Sequence, residues 1–190
     1  MEIAVFAFFR LAHLSLAATM PAVKIGDKLP DATVFESPVG YNDESNCPLP
    51  PKPAQISELV KGKRCVFVGV PGAFTPTCSA KHVPGFLEAL PELQKHGVDE
   101  IFVVAVNDGW TMAAWARSQK ADGKLRFIGD GEGHFAKALG VDTVIPSMGL
   151  RNVRYSLLVD KDGKIEQLNV ESGPKFEVSD AQTMLKQVQK

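Results

Sequence analysis

Three cysteines are the candidate nucleophiles of this chain: Cys47, Cys65 and Cys78. Their settings differ. Cys65 opens the apolar run Cys65-Val66-Phe67-Val68-Gly69-Val70 and reads as a structural thiol inside a strand. Cys47 lies in a polar, proline-rich stretch. Cys78 follows the turn-rich segment Pro71-Gly72-Ala73-Phe74-Thr75-Pro76-Thr77 and stands where the spacing predicts a helix to begin. Unpaired backbone N–H groups and the helix dipole favour negative charge at such a point and lower the pKa of a thiol. A thiol of ordinary pKa, about 8.5, is only a few per cent ionised near neutrality, whereas one near 6 is roughly 90% ionised. Because the thiolate is the attacking species, placement at a helix start bears directly on rate.

Thr75 stands three residues before Cys78, the spacing of a C-x-x-C redox motif with a hydroxyl in the first place. Dithiol exchange needs both sulfurs, so this pattern disfavours a thioredoxin-type oxidoreductase. A hydroxyl beside a thiolate could instead bond a substrate oxygen. Pro71 and Pro76 brace the loop and lack N–H donors. His82, four residues after Cys78, shares its helix face. It could pair with the sulfur as in a cysteine protease, but a packing or capping role fits better. Gly129-Asp130-Gly131-Glu132-Gly133 lacks the G-x-G-x-x-G and G-K-[ST] patterns, and its two acids would repel phosphate. Asp160 to Gly163 lacks the remaining ligands of a calcium loop, and the cysteines lack paired zinc-ligand spacing. The expectation is an enzyme without cofactor or metal.

The elements that must position these residues alternate. Residues 32–36 read as a strand, 37–54 as a loop rich in proline, and Ile56 to Val60 as a short helix. Cys65 to Val70 and Ile101 to Val106 read as buried central strands. A helix is expected from about Cys78 to Lys95, ending at Gly97, with a kink or break at Pro84. Trp110 to Lys120 reads as a helix with Trp110, Ala113, Ala114 and Arg117 at helical spacing. Leu125 to Ile128 is a further strand and His134 to Leu139 a short helix. Val153 to Val159 and Lys164 to Val170 flank a turn and predict a β-hairpin. Ser179 and Gln182 form a capping-box pattern before a final helix marked by Ala181, Met184, Leu185 and Val188. The order β-α-β-α-β-α-β-β-α predicts an α/β, thioredoxin-like fold: a central mixed sheet flanked by helices, its early strands parallel and its last hairpin antiparallel.

The chain has 190 residues, 45% of them apolar and 23% charged, and a net charge of −1. This is ordinary globular usage and gives no electrostatic reason to expect nucleic acid or an acidic membrane as partner. An odd, small number of cysteines fits a reducing compartment, where a disulfide is transient and catalytic. Residues 1–20 differ from the rest. The apolar stretch 3–9 precedes Arg10 and His13, which is the wrong order for a secretory signal. A mitochondrial transit peptide and a disordered or optional leader both stay open. Residues 21–190 read as one domain, expected in the cytoplasm unless the leader directs it to mitochondria.

The segment Pro71 to Cys78 (PGAFTPTC) resembles the active-site signature of peroxiredoxins. With Val68-Gly69-Val70 before it and Lys81-His82-Val83-Pro84-Gly85-Phe86 after it, the stretch is similar to the peroxiredoxin-5 (type II) subfamily. Gly97-Val98-Asp99, Val106-Asn107-Asp108 and Asn169-Val170-Glu171 fit the same subfamily. The resemblance implies a thiol-dependent peroxidase for hydrogen peroxide and alkyl hydroperoxides, protecting against oxidative stress and maintaining cell redox balance. It implies that Pro71 shields the sulfur, Thr75 orients the peroxide, Cys78 attacks, and Arg154 holds the thiolate and the developing oxyanion. Arg154 also interrupts an apolar strand, and a buried Arg needs an anionic partner. Arg151 is its rival, expected in the loop.

Attack on the O–O bond leaves a sulfenic acid on Cys78, which a second thiol resolves as a disulfide. Subfamily members often place that thiol in the strand matching Ile101 to Val106 or near the last helix; this chain has Val103 at the first place and no cysteine after Cys78. By resemblance to a branch with an upstream loop cysteine, Cys47 is the resolving thiol of a homodimer, with thioredoxin or glutaredoxin as reductant. A one-cysteine cycle completed by glutathione or glutaredoxin is the alternative. A non-catalytic thioredoxin-like binding module is disfavoured by the presence of Pro71, Thr75, Cys78 and Arg154 together.

Overall fold

The computed structural model describes residues 21–189; the leader 1–20 and Lys190 lie outside the described residues. In chain order come the strands Thr33–Glu36 (β1), Tyr41–Asn42 (β2), Cys47–Pro48 (β3) and Lys52–Gln55 (β4), helix Ile56–Val60 (α1) and strand Cys65–Gly69 (β5). A π-helical turn, Cys78–His82, leads into Val83–Lys95 (α2), followed by Glu100–Ala105 (β6), Gly109–Ser118 (α3), Arg126–Gly129 (β7) and His134–Leu139 (α4). The chain closes with Asp142–Ile145 (β8), Gly149–Asn152 (β9), Tyr155–Val159 (β10), Ile165–Val170 (β11) and Ala181–Val188 (α5).

Seven strands form the central sheet in the order β11-β10-β5-β6-β7-β1-β4. The strands β5, β6 and β7 run parallel, while β10 joins β5 antiparallel and carries β11 on its outer edge. This is the mixed, thioredoxin-like sheet that the alternation of elements predicts. All residues of β5 and β10 are buried, as suits strands covered on both faces. Side chains alternate between the two layers. Val66, Val68 and Val70 meet Phe86, Leu93, Met112, Trp115 and Met184 from α2, α3 and α5. Cys65 and Phe67 face Ile56, Phe135 and Leu139 from α1 and α4. Gly69 has to be glycine: a Cβ there would collide with the ring of Tyr155, its partner across the sheet.

Five expectations change in detail. The stretch 37–54 is more than a loop: β2 and β3 form a small hairpin holding Cys47, and β4 pairs antiparallel with β1. Prolines do not exclude strands there, because an edge strand has an N–H side that needs no partner. The helix begins at Pro76, two residues before Cys78, and passes at once into a π turn, with Val83 N–H donating to the carbonyl of Cys78 five residues back. Pro84, without an N–H, marks where the regular helix begins. Helix α3 buries Met112 and Trp115, not the face of Trp110, which is half exposed. The hairpin β8–β9, largely half-exposed and without an apolar alternation to announce it, places Arg151 in a strand. Asp180, rather than Ser179, caps α5, accepting from the N–H groups of Gln182 and Thr183.

Candidate active site

The loop leading to Cys78 begins where β5 ends. The amide of Ala73 donates to Asn107 Oδ1 at 3.0 Å, which ties the loop to the end of β6. The Thr75 hydroxyl donates to the carbonyl of Gly72 at 2.9 Å. Phe74 has a positive φ of 57° and an exposed ring. A bulky residue in that conformation is uncommon and is held only by its surroundings. The carbonyl of Thr75 accepts from Ser79 N–H at 2.9 Å, so Cys78 lies in the first turn of the helix. Its side chain is 1% exposed.

Sheet register delivers the cation. Tyr155 pairs with Gly69, so continuing the antiparallel ladder sets Arg154 level with Val70, one residue before Pro71. Arg154 is buried, and its Nη1 lies 3.4 Å from Cys78 Sγ. Among the described residues no carboxylate forms an ion pair with Arg154, although nine other pairs occur. The buried guanidinium therefore has the sulfur as its candidate counter-ion. Its Nε–H is without an acceptor among the described residues.

The same Nη1 donates to His82 Nδ1 at 3.1 Å, and His82 Nε2 lies 3.0 Å from the carbonyl of Ser179. A carbonyl only accepts, so Nε2 carries the proton and Nδ1 is the acceptor that faces Arg154. Burial, reinforced by the Arg154 charge, lowers the His82 pKa to about 4, which keeps the ring neutral at neutral pH. Both ring nitrogens of His82 are thus engaged away from the sulfur, and Nδ1 accepts from the guanidinium nitrogen that touches it. Phe176 packs edge-on to His82 at 5.0 Å and lies 5.6 Å below the Arg154 guanidinium.

The structure brings together Cys78, Arg154 and the loop of Pro71 and Thr75. It does not bring Arg151, which donates to the carbonyl of Val106. Cys65 is fully buried on the opposite face of β5, and burial pushes its thiol up to about 12. Cys47 is exposed on its hairpin. Tyr41 of that hairpin sits 4.0 Å from Arg117 and bonds the carbonyl of Ala113, while Trp115, on the other side of α3, donates to Ser79. Helix α3 thus stands between the Cys47 hairpin and the helix of Cys78. In the loop 129–133, Asp130 accepts from the N–H groups of Phe135 and Ala136 and is a helix anchor. His82, weighed above for packing, turns out to be wired to the site. Glu171 was legible only as part of a motif fragment, Ser179 only as a candidate helix cap, and Phe176 not at all.

A cysteine in the first turn of a helix, a buried arginine on its sulfur and a hydroxyl three residues upstream invite comparison with known proteins. The family model described as Redoxin matches residues 24–185. The chain is 41% identical over 169 residues to Peroxiredoxin-2B of Arabidopsis thaliana, covering 88% of this chain and 99% of that protein. The chain belongs to the peroxiredoxin family. It is likewise 43% identical over 176 residues to the chloroplastic Peroxiredoxin-2E-2 of Oryza sativa subsp. japonica, covering 90% and 75% of the two chains. The crystal structure of reduced Prx3 from Vibrio vulnificus in complex with H2O2 superposes with a TM-score of 0.78 at 37% identity, covering 87% of this chain and 99% of that one. These relatives make it a type II peroxiredoxin. This peroxiredoxin is a thiol-dependent peroxidase, an oxidoreductase that reduces a peroxide with electrons from a thiol reductant. Among the described residues, no helix is long and apolar enough to cross a membrane.

Proposed function

We infer that Cys78 is the peroxidatic cysteine and that Arg154, Thr75 and Pro71 complete its site. The observation that carries this reading is the 3.4 Å contact between Arg154 Nη1 and Cys78 Sγ, with no carboxylate paired to that cation among the described residues. A fixed positive charge favours the thiolate over the thiol. The thiolate attacks one peroxide oxygen: an S–O bond forms, the O–O bond breaks, and sulfur is oxidised by two electrons to the sulfenic acid. The other oxygen leaves with the electron pair and takes up a proton, departing as water or an alcohol. Arg154 supports both the sulfur and that developing oxyanion. Because the Thr75 proton is engaged by the Gly72 carbonyl, its oxygen offers a lone pair to the peroxide O–H. Pro71 covers the loop side of the sulfur. The test is peroxide consumption by Cys78→Ser and Cys65→Ser. Loss in the first and retention in the second is expected; comparable loss in both refutes the assignment.

The cycle closes when a thiol attacks the sulfenic acid, forming a disulfide and releasing water. We assign that thiol to Cys47 of a second copy of the chain in a homodimer, with thioredoxin or glutaredoxin reducing the disulfide. The intervening α3 supports pairing between chains rather than within one. After one equivalent of peroxide, a covalent dimer should run on a non-reducing gel and be absent in Cys47→Ser. Normal thioredoxin-supported turnover by Cys47→Ser would instead establish the one-cysteine cycle. We further read residues 21–190 as the single domain carrying this chemistry, in the cytoplasm, and residues 1–20 as a leader. A fluorescent protein carrying residues 1–20 tests this: cytoplasmic signal supports it, and mitochondrial or plastid signal overturns it.

A further inference from the structure

We propose that Glu171 is a positioning residue for the peroxidase reaction, acting through Ser179 and His82 on the guanidinium of Arg154. This rests on the reading of Cys78 and Arg154 given above and extends it to residues that do not touch the sulfur. The starting observation is an unusual convergence of donors. One oxygen, Glu171 Oε1, accepts from the backbone N–H groups of Glu177, Val178 and Ser179 at 2.8, 2.8 and 2.9 Å and from the Ser179 hydroxyl at 2.8 Å. Glu171 is 4% exposed. Burial raises its pKa, but the hydrogen bonds from Ser179, Val178 and Glu177 outweigh it and hold the carboxyl below its ordinary value. It is a buried anion dedicated to folding one loop, 172–179.

That loop has two attachments to the site. The Ser179 carbonyl takes the proton of His82 Nε2, and Phe176 covers both the His82 ring and the guanidinium. The first attachment decides a tautomer. With the Ser179 carbonyl in place, Nδ1 is a lone-pair acceptor and Arg154 Nη1 can share its hydrogens between Nδ1 and the sulfur. Without it, the Nδ1–H tautomer or the imidazolium becomes accessible, and a donor then faces a donor. The guanidinium would turn away from that clash and from Cys78. Glu171 also reaches Arg154 by its backbone, donating N–H to the Arg154 carbonyl at 2.9 Å. One residue thereby holds both the strand segment that carries the cation and the loop that aims it. The charged groups facing His82 are Arg154, Glu171 and Asp180.

The experiment measures the pH profile of Cys78 alkylation by iodoacetamide and the rate of oxidation by hydrogen peroxide, in a Cys47→Ser background. The variants are Glu171→Ala, Glu171→Gln, His82→Ala, Arg154→Met and the double variant Glu171→Ala/His82→Ala. In Glu171→Ala the alkylation midpoint should move up by about half to one pH unit and peroxide oxidation should slow about threefold to tenfold. Glu171→Gln, which keeps an acceptor oxygen but not the charge, should recover part of both. Adding Glu171→Ala to His82→Ala should change both by much less than Glu171→Ala does alone, because most of the effect passes through His82 and only the Phe176 contact bypasses it. A merely structural role predicts a lower melting temperature with an unmoved midpoint, and that result overturns the proposal. So does additivity of the two substitutions. If Glu171→Ala does not fold, Glu171→Gln decides alone: an upward midpoint supports the relay and an unmoved one refutes it. If Arg154→Met leaves the midpoint unmoved, the underlying reading of the site fails. If Arg154→Met moves it and the Glu171 variants do not, only the relay fails.

Discussion

Arg154→Met isolates the electrostatic part of the reaction. The substitution removes the charge while keeping an unbranched side chain of similar reach beside Phe176 and His82. At the observed 3.4 Å, a unit charge pair interacts by about 5 kcal/mol at an effective dielectric of about 20 and by about 1 kcal/mol in bulk water. The guanidinium charge is spread over three nitrogens and the loop of Pro71 and Thr75 is only half-buried, so the effect falls between these limits. At about 1.4 kcal/mol per pH unit, the alkylation midpoint of Cys78 should rise by about 1 to 3 units. Well below the original midpoint the thiolate population falls by the same factor, roughly tenfold to a thousandfold. Peroxide oxidation should fall further, because the developing oxyanion loses the same cation. The assay is iodoacetamide alkylation against pH in a Cys47→Ser background, followed by stopped-flow oxidation. Arg154→Lys, with charge but no planar fork, should restore part of the midpoint and little of the peroxide step. A folded Arg154→Met protein with an unmoved midpoint would refute the reasoning and reduce the contact to packing.

Thr75→Val should slow peroxide oxidation by about tenfold to a hundredfold while leaving the alkylation midpoint in place, since it removes an acceptor for the substrate and no charge; a shifted midpoint would count against this role. Stability should fall with pH through His82: its folded pKa is about 4 against an ordinary 6.5, so only the unfolded chain takes up this proton between those values. That corresponds to a loss of up to about 3 kcal/mol as pH falls from 6.5 to 4, readable by urea unfolding and flattened in His82→Asn. Gly69→Ala should destabilise by about 1–3 kcal/mol, because the new methyl meets the buried Tyr155 ring and displaces the strand that carries Arg154. Equal denaturation midpoints for Gly69→Ala and the parent would show that the strand pair has slack which the structure does not suggest.

Much of the architecture was legible because its signals are local. The β-branched runs at Cys65 to Val70 and Ile101 to Val106 announce strands, and the turn before Cys78 announces a helix start. Arg154 was legible because a charge inside an apolar strand demands a partner. What stayed hidden depends on distant segments meeting. His82 and Ser179 are brought together by the docking of α5 on α2, and Glu171 acquires its role only when the chain turns back on itself. The stretch 37–54 was misjudged because proline content speaks against central strands and says little about edges. On α3, two tryptophans compete for the core. Trp110 and Trp115 each head a plausible apolar stripe, and only the packing of Trp115 against Phe127 and Ser79 chooses between them.

The π-helical turn at Cys78–His82 bears on how this chain can change over time. An α-helix containing such a turn holds one residue more than its regular pitch accommodates, closed by bonds that span five residues instead of four. Deleting one residue, for instance the exposed Ala80, would restore the regular ladder and strengthen the helix. It would also rotate everything before it by about 100° relative to α2, carrying the sulfur off the guanidinium. A sturdier helix and a sulfur under the arginine are therefore rival outcomes for this segment. Selection for heat resistance alone would favour losing the extra residue, and selection for peroxide turnover would favour keeping it.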